Sequence, residues 1–373
     1  MSPRIPLSAP DITELEIAAA VAVLRTPYLS SGPQLAAFES ELAAYHGVEH
    51  AVAVSSGTAA LHLTLLSLGI GEGDEVIMPS FAFVALAGTV LQAGAKLVFA
   101  DIDSKTLNLD PVAVECAITP RTRAIVVVHT FGVPAEIEAL SQLARRYRIA
   151  LVEDACESIG ARFDGRRAGS FGDLAVLGFY PNKQMTTGEG GAVLTCNAEY
   201  AARLRRLRNQ GRDPHAGWLD CIEPGFNYRL PELACALGRV QLSRIEEMLV
   251  LRRKAAERYQ EVLAGVPGVE LPSLELPRRE ISWFVYVVRL TDNVDRDAVQ
   301  AQLASGGIAT GRYFAPIHQQ PLWLARAQAG RLPMTESIAQ RLLALPFFNR
   351  ITAEQQQEVA SRLWAAIARS AKK

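Results

Sequence analysis

The sequence predicts an α/β protein, with a large unit built on a mostly parallel sheet covered on both faces and a smaller α/β unit after it. Three observations carry that expectation. Short apolar runs alternate with stretches of helical spacing from about residue 13 to residue 245, a long Pro-free helical stretch follows residue 231, and a second, shorter alternation begins after Gly265-Val266-Pro267-Gly268. The length agrees: at about 150 residues per domain, 373 residues call for two units, expected over residues 1–245 and 246–373.

Taken in order, the large unit reads as helices over residues 14–24 and 34–45, a strand over 51–55, a helix over 58–68, a strand over 75–78 and a helix over 83–91. Strands over 96–100 and 124–129, a helix over 136–147 and a strand over 150–153 follow. Turn chemistry supports the boundaries, since Gly71-Glu72-Gly73-Asp74 precedes one strand and Gly94 closes a helix before the next. Between 231 and 262, Leu237, Val240, Leu242, Ile245, Met248 and Leu249 recur at helical spacing before the chain turns basic at Arg252-Arg253-Lys254, which predicts one long helix or two in line. The small unit reads as a strand over 283–290, a helix over 297–304, a strand over 308–313, and helices over 336–345 and 353–368. The basic run from Arg203 to Arg208 reads as a solvated helix face.

Charge and hydropathy exclude several classes of function. Lys and Arg number 38 against 39 Asp and Glu, a formal net charge of −1, so there is no surplus positive charge for nucleic acid or an anionic membrane surface. No apolar run approaches the ~20 residues of a membrane span. The first residues turn acidic at Asp11, Glu14 and Glu16 without an apolar signal region, so a cytoplasmic location is expected. Five widely spaced cysteines with no Cys-x-x-Cys pair predict reduced thiols and no metal site.

Three stretches carry candidate chemistry. Ser55-Ser56-Gly57-Thr58 stands where a strand hands over to a helix. Free N–H groups and the positive helix end converge there, Gly57 admits an anion to the backbone, and the hydroxyls add donors, a combination suited to a phosphate. Val152-Glu153-Asp154 ends an apolar strand in carboxylates, at the end of a parallel strand where ligands bind in open α/β sheets. Finally, Lys183 lies inside the Gly- and Thr-rich loop from Gly178 to Gly191. A lysine held in a cleft loses part of its proton affinity and becomes a nucleophile.

Together these motifs resemble the DegT/DnrJ/StrS sugar aminotransferases, pyridoxal-phosphate enzymes of aminotransferase fold type I. The resemblance runs over nearly the whole chain. It includes Ser31-Gly32-Pro33, Pro79-Ser80-Phe81-Ala82-Phe83-Val84, Val128-His129, Leu207-Arg208-Asn209-Gln210-Gly211-Arg212, Gly225-Phe226-Asn227-Tyr228-Arg229-Leu230-Pro231 and Pro316-Ile317-His318. It implies that Lys183 forms the Schiff base with pyridoxal 5'-phosphate and that Asp154 pairs with the pyridine nitrogen. Opposite charges ~4 Å apart in a protein cleft interact by roughly 4 kcal/mol, enough to keep that nitrogen protonated. It further implies that Phe83 stacks on the ring, that Ser56, Gly57 and Thr58 hold the phosphate, and that Asn227 reaches the phosphate of a neighbouring subunit, hence a homodimer with shared sites. Arg229, Tyr313 and His318 are the implied substrate residues, and base and sugar contacts are expected within 212–223 and 313–318.

Two positions depart from the family pattern. Many members place Ser five residues before the lysine, where this chain has Gly178, and Glu157 stands where Gln or His is frequent. The implied reaction is amino transfer from L-glutamate to a keto carbon of a nucleotide-linked 4-keto-6-deoxyhexose. Amination at C4 is expected over C3 or a cyclitol ketone, because C3 enzymes of the family often carry Tyr-Gly-Asp-Gly-Gly after the lysine, whereas this chain has Gly188-Glu189-Gly190-Gly191. A related dehydratase class has His for the lysine. A non-catalytic, cofactor-binding regulator is the alternative outside enzymes.

Overall fold

The computed structural model describes residues 3–213, 216–217, 220–324 and 330–370. Seven strands form the central sheet: β1 (His50–Val54), β2 (Glu75–Pro79), β3 (Lys96–Ala100), β4 (Thr122–Val128), β5 (Ala150–Asp154), β6 (Leu174–Gly178) and β7 (Gly191–Thr195). Their order is β1-β7-β6-β5-β4-β2-β3. The four pairings from β6 through β5, β4 and β2 to β3 are parallel, and β7 runs antiparallel to both β6 and β1.

Strand side chains alternate between two covered faces. Val52, Val54, Val76, Met78, Val126, Val152 and Val176 pack in one cluster with helices α3 (Gly57–Ser67) and α4 (Ala85–Gln92). On the opposite face Ile77, Ile125, Val127 and Leu151 meet the helix Ile137–Tyr147, while Ala53, Ala175, Leu177 and Ala192 meet α2 (Pro33–His46). Both faces are thus dry, which explains why these strands read as near-continuous apolar runs. A separate core joins Tyr259, Tyr286, Val288, Leu343, Leu363 and Ile5 around a three-stranded antiparallel sheet of Val269–Glu270, Tyr286–Leu290 and Leu342–Leu345.

Several expectations need correction. The strand Leu174–Gly178, which takes in only the first residue of the expected loop, and a helix at Pro111–Ala117 were not anticipated. The long helical stretch breaks at Arg244 into Glu232–Ser243 and Ile245–Leu263. Residues 308–313 make only isolated bridges, Ile308 to Ile5 and Gly311 to Ala344. The expected helix over 336–345 ends at Ala339, and Leu342–Leu345 becomes a strand because the Tyr286–Leu290 edge offers backbone partners and an apolar face. The run 203–208 is a solvated face only in part, at Arg205 and partly at Arg203. Arg208 is buried against Glu39 and the Ala53 carbonyl, and Arg203 and Arg206 both grip Glu223.

Candidate active site

The registers place one set of strand ends side by side. Val54 lies opposite Gly191, Gly191 opposite Gly178, and Asp154 opposite both Val176 and Val128. The chain therefore leaves β1, β4, β5 and β6 along one edge, and the β6–β7 loop that carries Lys183 closes over it. A Cβ on Gly191 would lie 2.7 Å from the Gly57 nitrogen, so only glycine lets β7 start this close to the Ser56-Gly57 turn.

At that turn Ser56 caps α3, its Oγ accepting from the Ala59 N–H at 3.0 Å. The Ser56 carbonyl takes the Ala60 N–H. The N–H groups of Gly57 and Thr58 are the first two of the helix and have no intrahelical acceptor, so they remain donors at its positive end. The Ser56 hydroxyl accepts as the cap and keeps its own proton to donate. Cys156 fills the space beside the turn: a Cβ at either Gly57 or Gly178 would come within 3.1 Å of its Sγ.

Lys183 is held from both ends. Its N–H donates to the Tyr180 carbonyl at 2.9 Å, and its carbonyl accepts from Arg252 Nη2 at 3.1 Å. Arg252, from the helix Ile245–Leu263, is fully buried and also donates to the Trp283 and Phe284 carbonyls. Burial lowers its guanidinium to about 10. At the other end, Lys183 Nζ lies 4.0 Å from the Phe284 ring centroid and 3.5 Å from Glu157 Oε1. Only 14% of the lysine side chain is exposed.

Glu157 is buried, and its Oε2 accepts from the Phe131 N–H at 3.0 Å. Burial pushes its carboxyl up, with the Lys183 ammonium and the Phe131 N–H pulling the other way. Gln184 locks the backbone here by donating to the Glu157 carbonyl at 2.6 Å and to Ser282 Oγ at 2.9 Å. Asp154 accepts from the Cys156 N–H at 3.1 Å, and both Asp154 and Lys183 act electrostatically on Glu157 and on the half-buried Cys156 thiol, which desolvation raises strongly. The loop lysine and the strand-end aspartate therefore share one charge cluster. Beside it stands Tyr313, whose phenol pairs with Asn182 and is raised by burial. Its ring packs against Phe284 and Phe131.

The remaining candidates sit farther apart in kind. Phe83, just ahead of α4, is 61% exposed and touches Phe314 with only part of its ring. Asn227 is exposed and bridges Asn209, and the next residue accepts the Ser55 N–H at 2.8 Å, so this segment borders the phosphate-type turn. Arg229 donates to the side-chain oxygens of Asn209 and Gln210, which Arg212 also uses. His318 is buried, with Nδ1 2.6 Å from Ser80 Oγ and Nε2 3.3 Å from Glu336. Both its ring nitrogens are engaged, which gives it a fixing role between β2 and the small unit. Within 212–223, residues 214–215 and 218–219 lie outside the described residues. A cavity of about 410 Å³ lined by Phe131, Trp283, Arg289 and Leu342 includes none of the ionisable groups above, so chemistry rather than volume marks the site.

Sequence reasoning missed Phe284, Gln184, Arg252 and Phe131, because each reaches Lys183 or Glu157 from a distant segment. The departure from Gln at position 157 was the one available signal.

A mostly parallel sheet with a phosphate-type turn, a strand-end aspartate and a loop lysine at one edge is the architecture of the pyridoxal-phosphate-dependent transferases of fold type I, and solved aminotransferase structures share the fold. The sequence pattern of the DegT/DnrJ/EryC1/StrS aminotransferase family matches residues 10–364, and the chain belongs to that family. The GDP-perosamine synthase of Caulobacter vibrioides is 38% identical over 366 residues, 97% of this chain and 98% of that protein. The structure of S. venezuelae DesV, solved in complex with a ketimine intermediate, superposes with a TM-score of 0.89 at 38% identity over 98% of each chain. Spr1654 of Streptococcus pneumoniae, in its PLP form, gives 0.91 at 26% identity over 98% of this chain and 99% of its own. The protein is an aminotransferase.

Proposed function

We propose that the protein binds pyridoxal 5'-phosphate and moves an amino group from L-glutamate to the C4 keto carbon of a nucleotide-linked 4-keto-6-deoxyhexose. The observation that carries this reading is Lys183 Nζ, sequestered between Glu157 and Phe284 at the sheet edge that also bears Asp154. The residues fit the cofactor on their own terms. Two helix-start N–H groups and the Ser56 hydroxyl suit its phosphate, a carboxylate suits its ring nitrogen, an exposed Phe83 offers an apolar face, and an amine suits its aldehyde. Orphaned buried acceptors on both neighbours of Lys183, Asn182 Oδ1 and Gln184 Oε1, mark a polar pocket with bonding capacity to spare.

When bound, the cofactor supplies an electron sink for the pair left behind when a C–H bond beside the amine breaks. Asp154 would hold the proton of its ring nitrogen by its negative charge. Lys183 Nζ, once its amine is free, takes the proton from the donor's α-carbon and later returns one on the sugar side. Phe284 and Phe131 limit water around Nζ and Glu157. Tyr313 and Arg229 face the substrate, and Asn227 contributes to the site of a second copy in a homodimer. The exposed apolar residues Leu15, Ile17, Val21 and Leu24 of the first helix support such an association.

The sugar assignment draws on the named activity of the Caulobacter vibrioides relative, and C4 on Gly188-Glu189-Gly190-Gly191. The test loads the purified protein with the amine form of the cofactor and mixes it with a panel of nucleotide keto-sugars, scoring return of the aldehyde form by absorbance. A 4-keto-6-deoxy sugar should restore it fastest. Restoration by only a 3-keto sugar or a cyclitol ketone would reassign the substrate, and none with any ketone would point to a regulator.

A further inference from the structure

Glu157 is a buried carboxyl group with few partners. Among the described residues, one oxygen has a single backbone N–H and the other has the lysine ammonium at 3.5 Å. We propose that Glu157 is the positioning residue of Lys183: its carboxylate holds the Nζ ammonium against Phe284 and exchanges a proton with it, so that the amine is freed inside the pocket rather than by release of a proton to solvent. In this exchange an Nζ–H bond breaks, an O–H bond forms on Glu157, and a buried ion pair becomes a buried neutral pair. Such a pair gains less from Coulomb attraction than its formal charges imply, because desolvation opposes it, so the neutral form is a minor but accessible partner of the ion pair. The upward push of burial on the Glu157 carboxyl acts in the same direction.

The groups that face the pair come from every neighbouring element. Asp154 ends β5 and Cys156 follows it, Tyr180 and Asn182 share the lysine's loop, Arg252 reaches the Lys183 carbonyl, and Tyr313 bonds Asn182. Among them, Glu157 has the carboxylate that contacts Nζ directly. Its neighbour Gln184 fixes the Glu157 backbone, and Arg252 fixes that of Lys183, so the two side chains meet between clamped main chains.

The inference rests on Lys183 being the amine of the reaction, and its test reads the lysine without the cofactor. The cofactor-free protein is labelled with acetic anhydride over a pH series, and acetylation of each lysine is followed by peptide mass mapping. Glu157→Gln removes the counter-charge while keeping the shape. Lys183 should then acetylate about tenfold faster near neutral pH, the equivalent of one pKa unit, with Lys96, Lys105 and Lys254 unchanged. Glu157→Asp, which withdraws the carboxylate without deleting it, should lie between the two, and it carries the test if the Gln variant does not fold. In the loaded enzyme the acid limb of kcat should move to lower pH in Glu157→Gln. Equal Lys183 labelling in the wild type and both variants would overturn the proposal. Attachment of the cofactor to some other lysine would instead overturn the functional reading and leave the labelling result standing.

Discussion

Two glutamates near the end of β5 are both buried and chemically opposite. Glu153 accepts four hydrogen bonds, from His129 Nε2 at 2.8 Å and from the N–H groups of Gly169, Phe171 and Gly172 at 2.6–2.8 Å. The Ala135 N–H donates to His129 Nδ1, so the imidazole proton sits on Nε2 and points at the carboxylate. Despite complete burial, the His129 bond and the backbone N–H groups bring the Glu153 carboxyl below its ordinary range. Glu157, three residues beyond Asp154, has one N–H and one ammonium and is pushed up. The number of fixed donors, not burial, separates a carboxylate that staples the fold from one free to exchange a proton.

The largest effects should fall on the reacting side. Lys183→Ala is expected to cost about 10⁴-fold or more in turnover while leaving the far-UV circular dichroism unchanged. Asp154→Asn should retain cofactor but lose two to three orders of magnitude, roughly what a lost opposite charge is worth to the ring nitrogen. Wild-type-like turnover would show that Asp154 is only a strand-end residue.

Glu153→Gln breaks the comparison on its structural side. The amide turns two of its hydrogens towards donors, at a cost of about 3 kcal/mol, seen as a fall of roughly 5 °C or more in Tm. The pH signs of the two glutamates also differ. The lowered Glu153 carboxyl contributes stability that is present above about pH 4.3 and lost as the pH falls through its folded value. The raised Glu157 carboxyl contributes stability only below that range and loses it as pH rises. Glu157→Gln should therefore leave Tm at neutral pH unchanged or slightly higher in the cofactor-free protein. A fall as large as that of Glu153→Gln would erase the distinction between the two.

The smallest expected effect concerns Gly178. A Cβ there lies 3.1 Å from Cys156 Sγ and 3.3 Å from its Cβ, so Gly178→Ser should overpack by about 1–2 kcal/mol and weaken cofactor retention several-fold. Cys156→Ala in the same chain should relieve it, measured by titration of the cofactor against the double variant.

Much of this was legible in the sequence because it is local. The helix Glu14–Leu24 and the strand Lys96–Ala100 match their expected bounds, since caps and apolar runs are written in consecutive residues. Lys183 and Asp154 stood out through their flanking glycines and apolar strand. The errors have a common physical origin in tertiary contacts. Residues 342–345 carry helix-forming Leu and Ala yet pair as a strand, and Arg252 sits in a basic run yet is buried under Lys183, 69 positions away in sequence. Glu157 could be flagged only as a departure, because its partners Phe131 and Lys183 come from two other loops.

The account stands or falls on Lys183 as the point of covalent attachment. Borohydride reduction of the cofactor-loaded protein, followed by proteolysis and peptide mass mapping, tests it directly. The modified peptide should be the one spanning Tyr180-Pro181-Asn182-Lys183-Gln184, and Lys183→Ala should give none. A reduced cofactor found on Lys96, Lys105, Lys254 or any other lysine would contradict the site.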